Sequence, residues 1–139
     1  MAIFTLTDAY VAVNGVVLSD HGSNVQVEDT RDSVDITAFG ATSKAVTKGL
    51  GDAKITVTFF QDFAAAKVHA TLQPLIGSST GVTIEVRATS GARSTTNPAA
   101  LMTGLLMNYN MLNGGVGDAS TIQAEFVNSS QAGMTYPTS

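Results

Sequence analysis

The chain has 139 residues, a length typical of one domain. Apolar residues make up 44% of it, which excludes a disordered chain, while charged residues make up only 13%, against ~25% in ordinary soluble domains. The net charge of −4 argues against non-specific binding of nucleic acid, which needs clustered positive charge. Because so little charge protects the surface against association, we expect other subunits to cover much of it, with an ordinary neutral β-domain as the alternative.

Three further absences bear on the class of protein. The chain has 0 cysteines, so disulfides and thiolate chemistry are excluded. The first residues lack a basic region followed by a long apolar core, which predicts no signal peptide. No stretch approaches the ~20 apolar residues of a membrane span, so we expect no membrane partner.

Period-two alternation of apolar and polar residues is the dominant pattern along the chain. Tyr10–Val13 and Val16–Ser19 flank the dipeptide Asn14-Gly15, the strongest short signal for a β-hairpin. Further strands are predicted around residues 25–27, 34–37, 55–60, 82–87 and 122–126, where β-branched residues alternate with polar ones. Several short strands separated by Gly and Asp turns predict a mainly β fold, a sandwich or a barrel.

The segment 39–51 is predicted to be a long loop. It contains two of the seven basic residues, Lys44 and Lys48, and no acidic one. It also contains the apolar residues Phe39, Val46 and Leu50. Loops of this length in a compact domain are usually functional or disordered, so we single it out as a candidate interaction segment.

One segment has helical instead of strand periodicity. Asp62 is suited to cap a first helical turn, and Ala65, Val68, Leu72 and Leu75 fall on one helical face. Pro74 is expected to mark the end of the helix. The pattern therefore predicts one helix over about residues 63–73, packed against the strands.

The stretch 98–112 is ambiguous. Asn97 followed by Pro98 is typical of a helix start, and Leu101, Leu105 and Tyr109 have helical spacing. A strand would place those same three residues on one face together with Thr103 and Met107. Periodicity alone does not decide between helix and strand here.

The sequence shows no convincing catalytic or metal-binding pattern. Ser19-Asp20-His21 contains the residue types of a triad, but a working triad is assembled from separate segments, so we expect a solvated turn. Asp29, Asp32 and Asp35 would suit a hard cation, but Asp29–Asp32 also suits a turn between two strands, which we favour. We therefore predict no enzyme activity, no cofactor and no metal site.

Taken in order, six segments resemble a known family. They are Val13–Asp20, Val34–Gly40, Lys48–Ala53, Val57–Phe63, Thr96–Pro98 and Gly115–Thr121. The ordered set is similar to the tail tube protein, or major tail protein, of long non-contractile-tailed phages of actinobacterial hosts. The resemblance covers nearly the whole chain, and its specificity lies in the order of the segments, since each alone is ordinary strand and turn chemistry.

The resemblance implies a structural virion protein of the phage tail, assembled in the host cytoplasm. It implies a single domain over residues 1–139, with a β-sandwich or barrel, one flanking helix, an N-terminal arm over about 1–8 and a C-terminal arm over about 129–139. It also implies that the stretch after Pro98 is a strand. Six copies would form a ring, and stacked rings with other tail proteins would enclose a channel for DNA that is not bound specifically.

This resemblance gives two hypotheses about functional residues. The loop 39–51 would bridge stacked rings through Phe39, Lys44, Val46, Lys48 and Leu50. The lumen would be lined by acidic side chains that alternate with buried residues on the strands, which repel DNA phosphates; the candidates are Glu28, Asp35, Glu85 and Glu125.

Two other classes remain alternatives at this stage. A capsid decoration protein or a tail-terminator protein would also be β-rich and oligomeric. A small carbohydrate-binding module is disfavoured because such sites usually expose aromatic side chains, whereas this chain has no Trp and only 6% aromatic residues.

Overall fold

The computed structural model describes residues 3–139, and all seven named strands join one antiparallel sheet. The elements in chain order are β1 (Tyr10–Val13), β2 (Val16–Val17), a short 3-10 helix (Ser19–His21), β3 (Gly22–Asp35), β4 (Val46–Phe60), α1 (Val68–Ile76), β5 (Val82–Arg87), β6 (Ala99–Tyr109) and β7 (Thr121–Asn128). Their spatial order is β2-β1-β5-β6-β7-β4-β3, so β2 and β3 are the two edges.

The first hairpin forms where the sequence predicts it. Val13 pairs with Val16, and the two residues between them, Asn14 and Gly15, have φ angles of 52° and 82°. Positive φ at both central residues is the requirement of a type I′ turn, whose twist matches that of the flanking strands.

The core lies on one face of the sheet, under the helix. Val68, Leu72 and Leu75 of α1 are buried against alternate residues of the strands, among them Val57 and Phe59 of β4. The sheet curls, because Val11 of β1 and Val57 of β4 line one cleft although β5, β6 and β7 lie between those strands. The predicted fold class, mainly β with one flanking helix, is confirmed.

The ambiguous stretch 98–112 contains a strand, as the family resemblance implies, and the helical alternative is wrong. β6 pairs with β5 on one side and with β7 on the other, and Met102 and Leu106 point into the core. A bulge between Leu106 and Asn108 then shifts the alternation. The pairing partners that decide for a strand are distant in sequence, so local spacing did not reveal them.

The helix is displaced from the predicted range 63–73 and runs from Val68 to Ile76. Asp62 does not cap it: its carboxylate accepts a hydrogen bond from the Ala64 amide at 2.9 Å and closes a separate turn. Ala66 then has a φ of 59° and Lys67 is extended, so the backbone becomes helical only after them. Pro74 lies inside the helix instead of ending it.

The long loop is shorter than the predicted 39–51, because Val46–Gly51 belong to β4. The predicted turn at Asp29–Asp32 is likewise part of β3. Gly49 and Gly51 are strand residues, not loop residues. A Cβ added at Gly49 would lie 2.9 Å from Val34 Cγ2 and 3.3 Å from Asp32 Cβ, so glycine there allows close packing between β3 and β4. A Cβ added at Gly51 would meet only the flexible Arg31 side chain, which can move aside.

Both terminal arms contact the body of the subunit. In the C-terminal arm, Thr135 exchanges two backbone hydrogen bonds of 2.9 Å with Leu101, and Met134 is buried. In the N-terminal arm, the Asp8 carboxylate accepts hydrogen bonds from the amide and hydroxyl of Ser90. The arm predicted over 1–8 includes residues 1–2, which lie outside the described residues.

Replacing Leu72 with Ala should lower the free energy of unfolding by ~2–5 kcal/mol, because the side chain is fully buried under the helix and its loss leaves a cavity. Urea denaturation of wild type and variant measures the change. Gln73→Ala is the matched control, since Gln73 is exposed on the same helix. An unchanged midpoint for the Leu72 variant would show that this helix face is not packed.

Candidate interaction surfaces

The most prominent surface feature is an arm formed by the distal halves of β3 and β4. β4 pairs with β7 only over Lys54–Phe60, whereas its pairing with β3 continues to the pair Asp35–Val46. Residues 46–53 of β4 and residues 29–35 of β3 therefore form a two-stranded ribbon that extends away from the rest of the sheet. A ribbon of this kind is marginally stable alone in water, so the arm depends on the seven-stranded sheet at its base or on a partner.

The arm exposes large apolar side chains. Phe39 is fully exposed and Leu50 is 82% exposed, and they are accompanied by three further exposed apolar residues. These three are Val34, Ile36 and Val46. Apolar side chains concentrated on one projecting element are typical of a surface that binds another protein.

The loop at the tip of the arm spans residues 36–45 and is closed at its base. Thr37 Oγ1 accepts a hydrogen bond from the Ala45 amide at 2.9 Å, and the Ile36 amide donates to the Ala45 carbonyl at 3.0 Å. Lys44 and Lys48 form no ion pair with any residue in the described range 3–139. The loop therefore has a defined base and presents free positive charge beside apolar side chains.

The face of the sheet opposite the core is polar. Thr56 of β4 pairs with Gln26 of β3 and with Glu125 of β7, and all three side chains point away from the core because their neighbours along each strand are buried or partly buried. Glu28 lies on the same face, opposite Lys54. Glu28 and Glu125, two of the four predicted lumen residues, therefore lie on this face in a background of amides and hydroxyls.

Glu85 shares this face but is not a free negative charge. Arg93 binds it with two nitrogens, Nη2 at 2.7 Å and Nε at 3.2 Å, and Arg87 Nε lies 3.3 Å from the same carboxylate. The hydrogen bonds from Arg93 lower the pKa of Glu85, which keeps it ionised. The guanidinium of Arg87 also stacks on Tyr10 at 3.8 Å, so this cluster contains two cations and one anion.

Asp35 lies outside the part of the sheet that carries Glu28. A register shift between Arg31 and Ser33 separates the two residues on β3, so alternation along the strand does not assign Asp35 to the polar face. Asp35 also lies on the arm, where its carboxylate accepts a hydrogen bond from the Thr37 amide. The four predicted acidic residues therefore fall into three environments: the open polar face, the arginine cluster and the arm.

His21 belongs to a charged cluster that the sequence did not reveal. Its Nδ1 lies 2.8 Å from Asp20 and its Nε2 lies 2.8 Å from Asp62, which is 41 positions away in the chain. The hydrogen bond with Asp20, followed by that with Asp62, raises the pKa of His21 above its usual range. This cluster joins the 3-10 helix to the connection between β4 and α1; it is a structural clamp, not the solvated turn expected from the sequence.

The described residues show few other features that suggest chemistry. No group of three or more acidic, histidine or cysteine residues within residues 3–139 is arranged to hold a metal ion. None of the helices in that range is long and apolar enough to cross a membrane. The surface features that remain are the arm, the polar face, the free edge of β3 and two clefts, so interaction surfaces are the candidate site.

No family model matches the sequence, and no curated protein matches it either. Solved structures with a similar fold include two that cover nearly the whole of both chains. A chain of the virion of a native gene transfer agent particle superposes with a TM-score of 0.73 at 7% identity, over 94% of this chain and 95% of that chain. A chain from the tail of an empty gene transfer agent particle, refined with C6 helical symmetry, gives a TM-score of 0.70 at 9% identity, over 93% of each chain. These likenesses show a tail-tube-like fold.

The His21 clamp should make stability depend on pH in a defined window. A cationic His21 between two carboxylates stabilises the fold below about pH 6.5, and this is lost as pH rises through its raised pKa. Asp20 and Asp62 have lowered pKa values, so their contribution is present above about pH 3.9 and is lost as pH falls further. The clamp therefore stabilises most between about pH 4 and 6.5.

His21→Gln should consequently cost more stability at pH 5.5 than at pH 9, as measured by urea denaturation at both values. Asp62→Asn serves as the partner control, because an amide oxygen can still accept the Ala64 hydrogen bond but carries no charge. An equal loss at both pH values would mean that the histidine is not held as a cation.

Proposed function

We propose that this chain is the structural subunit of a phage tail tube, in which six copies form a ring and the rings stack around a channel for DNA. The observation that carries the proposal is that the whole chain, not one part of it, has the fold of a chain in a tail of C6 symmetry, over 93% of both. The ordered segments that resemble phage tail tube proteins of actinobacterial hosts support the same function and suggest the host.

The free edge of β3 supports assembly into a ring. One side of this 14-residue strand pairs with β4, and its other side has no strand partner among residues 3–139. An unpaired edge of this length is a template for strand addition from another chain. Lateral contacts of copies around the ring would cover it and would hide backbone groups that a monomer leaves in water.

The arm is suited to contacts between rings. We propose that its loop and neighbouring strand residues, Phe39, Lys44, Val46, Lys48 and Leu50, contact the next ring of the stack. Burial of exposed apolar side chains supplies the favourable free energy at ~25 cal/mol per Å², and the two lysines add specificity through pairing with acidic groups.

The polar face of the sheet is suited to line the channel. Glu28 and Glu125 are the two predicted lumen residues that lie on this face without an arginine partner. The amides, hydroxyls and carboxylates around Glu28 and Glu125 would repel phosphate, whereas Lys54 and the two arginines beside Glu85 put positive charge on other parts of the same face. DNA transit would then be passive, with no catalytic residue and no cofactor; other tail proteins would cap the tube in the virion, after assembly in the host cytoplasm.

Electron microscopy of the purified protein tests the proposal directly. The wild-type chain should form rings or tubes of constant width. A variant in which residues 36–45 are replaced by Asn-Gly should form no long tubes, because Asp35 and Val46 are a cross-strand pair that a two-residue turn can join. Its melting temperature should stay near that of wild type, since the loop packs on no core residue.

Three outcomes would count against this part of the proposal. Wild-type protein that stays monomeric at high concentration would reject the tube, as would rings that never stack, which is the behaviour expected of a decoration protein. Long tubes from the shortened-loop variant would show that the loop does not join rings.

The lumen assignment is tested with Glu28→Lys and Glu125→Lys tubes. Each substitution should make the tubes retain double-stranded DNA at low salt and release it at high salt, because bound phosphates displace counterions. Sedimentation of tubes with labelled DNA measures retention. Asp118→Lys is the control, since it makes the same charge change on an exposed turn away from the sheet face. Equal DNA retention by this control would mean that retention does not depend on where the lysine lies, and would reject the lumen assignment.

A further inference from the structure

A cleft of about 460 Å³ lies at the end of β3 that is opposite to the arm. It is formed by the N-terminal arm, the 3-10 helix and the first residues of β3, with Val11 and Val57 at its floor. Volumes of this size are typical of pockets that enclose a ligand or several side chains. Nothing in the described chain fills it.

The lining of the cleft is acidic and partly apolar. Asp8 and Asp20 contribute two carboxylates, and no Lys or Arg is among the lining residues. Leu6, Val11 and Val25 contribute apolar surface. Hydrogen bonds from Ser90 lower the pKa of Asp8, which stays ionised and has no cationic partner among residues 3–139, whereas Asp20 already pairs with His21.

The loop 36–45 has the complementary composition. It carries Lys44 and no acidic residue, and Lys48 follows it on β4. Its Phe39 side chain contacts nothing in the subunit and is fully exposed. A protruding aromatic side chain next to a free ammonium group matches a cavity that offers apolar walls and carboxylates.

The two surfaces are placed for contact between translated copies. The cleft involves Gly22–Val25 at the start of β3, and the loop follows Asp35 at its end. A strand of this length spans roughly 40 Å at ~3.3 Å per residue. A copy displaced along the strand by about that distance would bring its cleft to the loop of the copy below, and such a head-to-tail contact repeats without closing.

We propose that this cleft receives the loop 36–45 of a second copy, with Phe39 inserted between its apolar walls and Lys44 paired with Asp8. The inference deepens the proposed function, on which it rests, by naming the surface that the arm meets in the next ring. It also explains why the subunit keeps an acidic cavity at one end and a cationic, apolar loop at the other.

Disulfide trapping tests this contact, because the chain has no cysteine of its own. Ser23 lines the cleft and Ser43 lies in the loop, so Ser23→Cys/Ser43→Cys changes one atom at each position. Tubes assembled under reducing conditions are then oxidised and run on a denaturing gel without reductant. A ladder of covalent multimers from dimer upward is expected, since each copy would be joined to the one above and the one below.

Two controls and a second pair of cysteines make the trapping specific. Each single variant should stop at dimers. Ser43→Cys/Ser79→Cys, with the second thiol at an exposed site after α1 away from the cleft, should give no ladder. Asn24→Cys/Thr42→Cys is a second pair across the same contact, so one unfavourable thiol orientation does not decide the result.

The possible results separate this inference from the proposed function. Tubes that give no ladder with either cleft pair would overturn the docking site and leave the tube intact. A ladder with Ser43→Cys/Ser79→Cys as strong as that with Ser23→Cys/Ser43→Cys would overturn it as well. Wild-type protein that forms neither rings nor tubes would overturn the proposed function itself, and the docking site with it.

Discussion

The architecture depends on β4, which has a strand partner on both sides for only half of its length. Over Lys54–Phe60 it lies between β3 and β7, and alternate residues such as Ile55 and Val57 are fully buried. From Val46 to Ala53 it pairs with β3 alone. One continuous strand therefore begins in a free ribbon and ends in the hydrophobic core, so the arm is held at its base by the most buried part of the subunit. Its backbone hydrogen bonds continue those of the sheet, and the Tyr136 hydroxyl of the C-terminal arm donates a hydrogen bond to the Asp29 carboxylate at its base, at 2.8 Å.

The sequence of β4 reflects this division. The core half alternates Ile, Val and Phe with Thr, whereas the arm half contains Gly49, Gly51 and Asp52. These residues usually indicate turns, and they suggested a loop over 39–51. The structure gives Gly49 another cause, because the Val34 side chain of the neighbouring strand lies where a Cβ would otherwise be. Local composition identifies a departure from ordinary strands, but only the cross-strand partner explains it.

Prediction from sequence succeeded where the physical cause is local and failed where it is distant. The type I′ hairpin at Asn14-Gly15 and the alternating strands around residues 55–60, 82–87 and 122–126 follow from two-residue and period-two rules. The strand after Pro98 was left open by its own residues and was settled through the resemblance, because its two pairing partners lie elsewhere in the chain.

The charged sites divide in the same way. Arg87 is two positions from Glu85 on one strand, so the sequence did contain the signal that the carboxylate has a cation on its face. The bidentate contact from Arg93 could not be predicted without the path of the loop 88–98. The contact between His21 and Asp62 joins segments 41 positions apart. Acidic residues that alternate with buried ones thus indicate a polar face, but their neighbours in space decide which of them keep a free charge.

Two kinds of surface remain open on the subunit: the backbone edge of β3, and the side chains of the cleft and the arm. β7 pairs with β6 only from Gly104 onward, and the C-terminal arm pairs with the start of β6 on that side, so no free edge remains there. The edge at β2 is only two residues long. The edge of β3 is long but rich in charged residues, a feature that prevents indiscriminate strand pairing and admits only a partner with matching charges. Its backbone groups face sideways, whereas the cleft and the arm lie at its two ends. If copies add along the edge of β3 and stack through the arm and the cleft, as proposed, the two kinds of contact would use largely different groups and would share only the first residues of β3, Gly22–Val25.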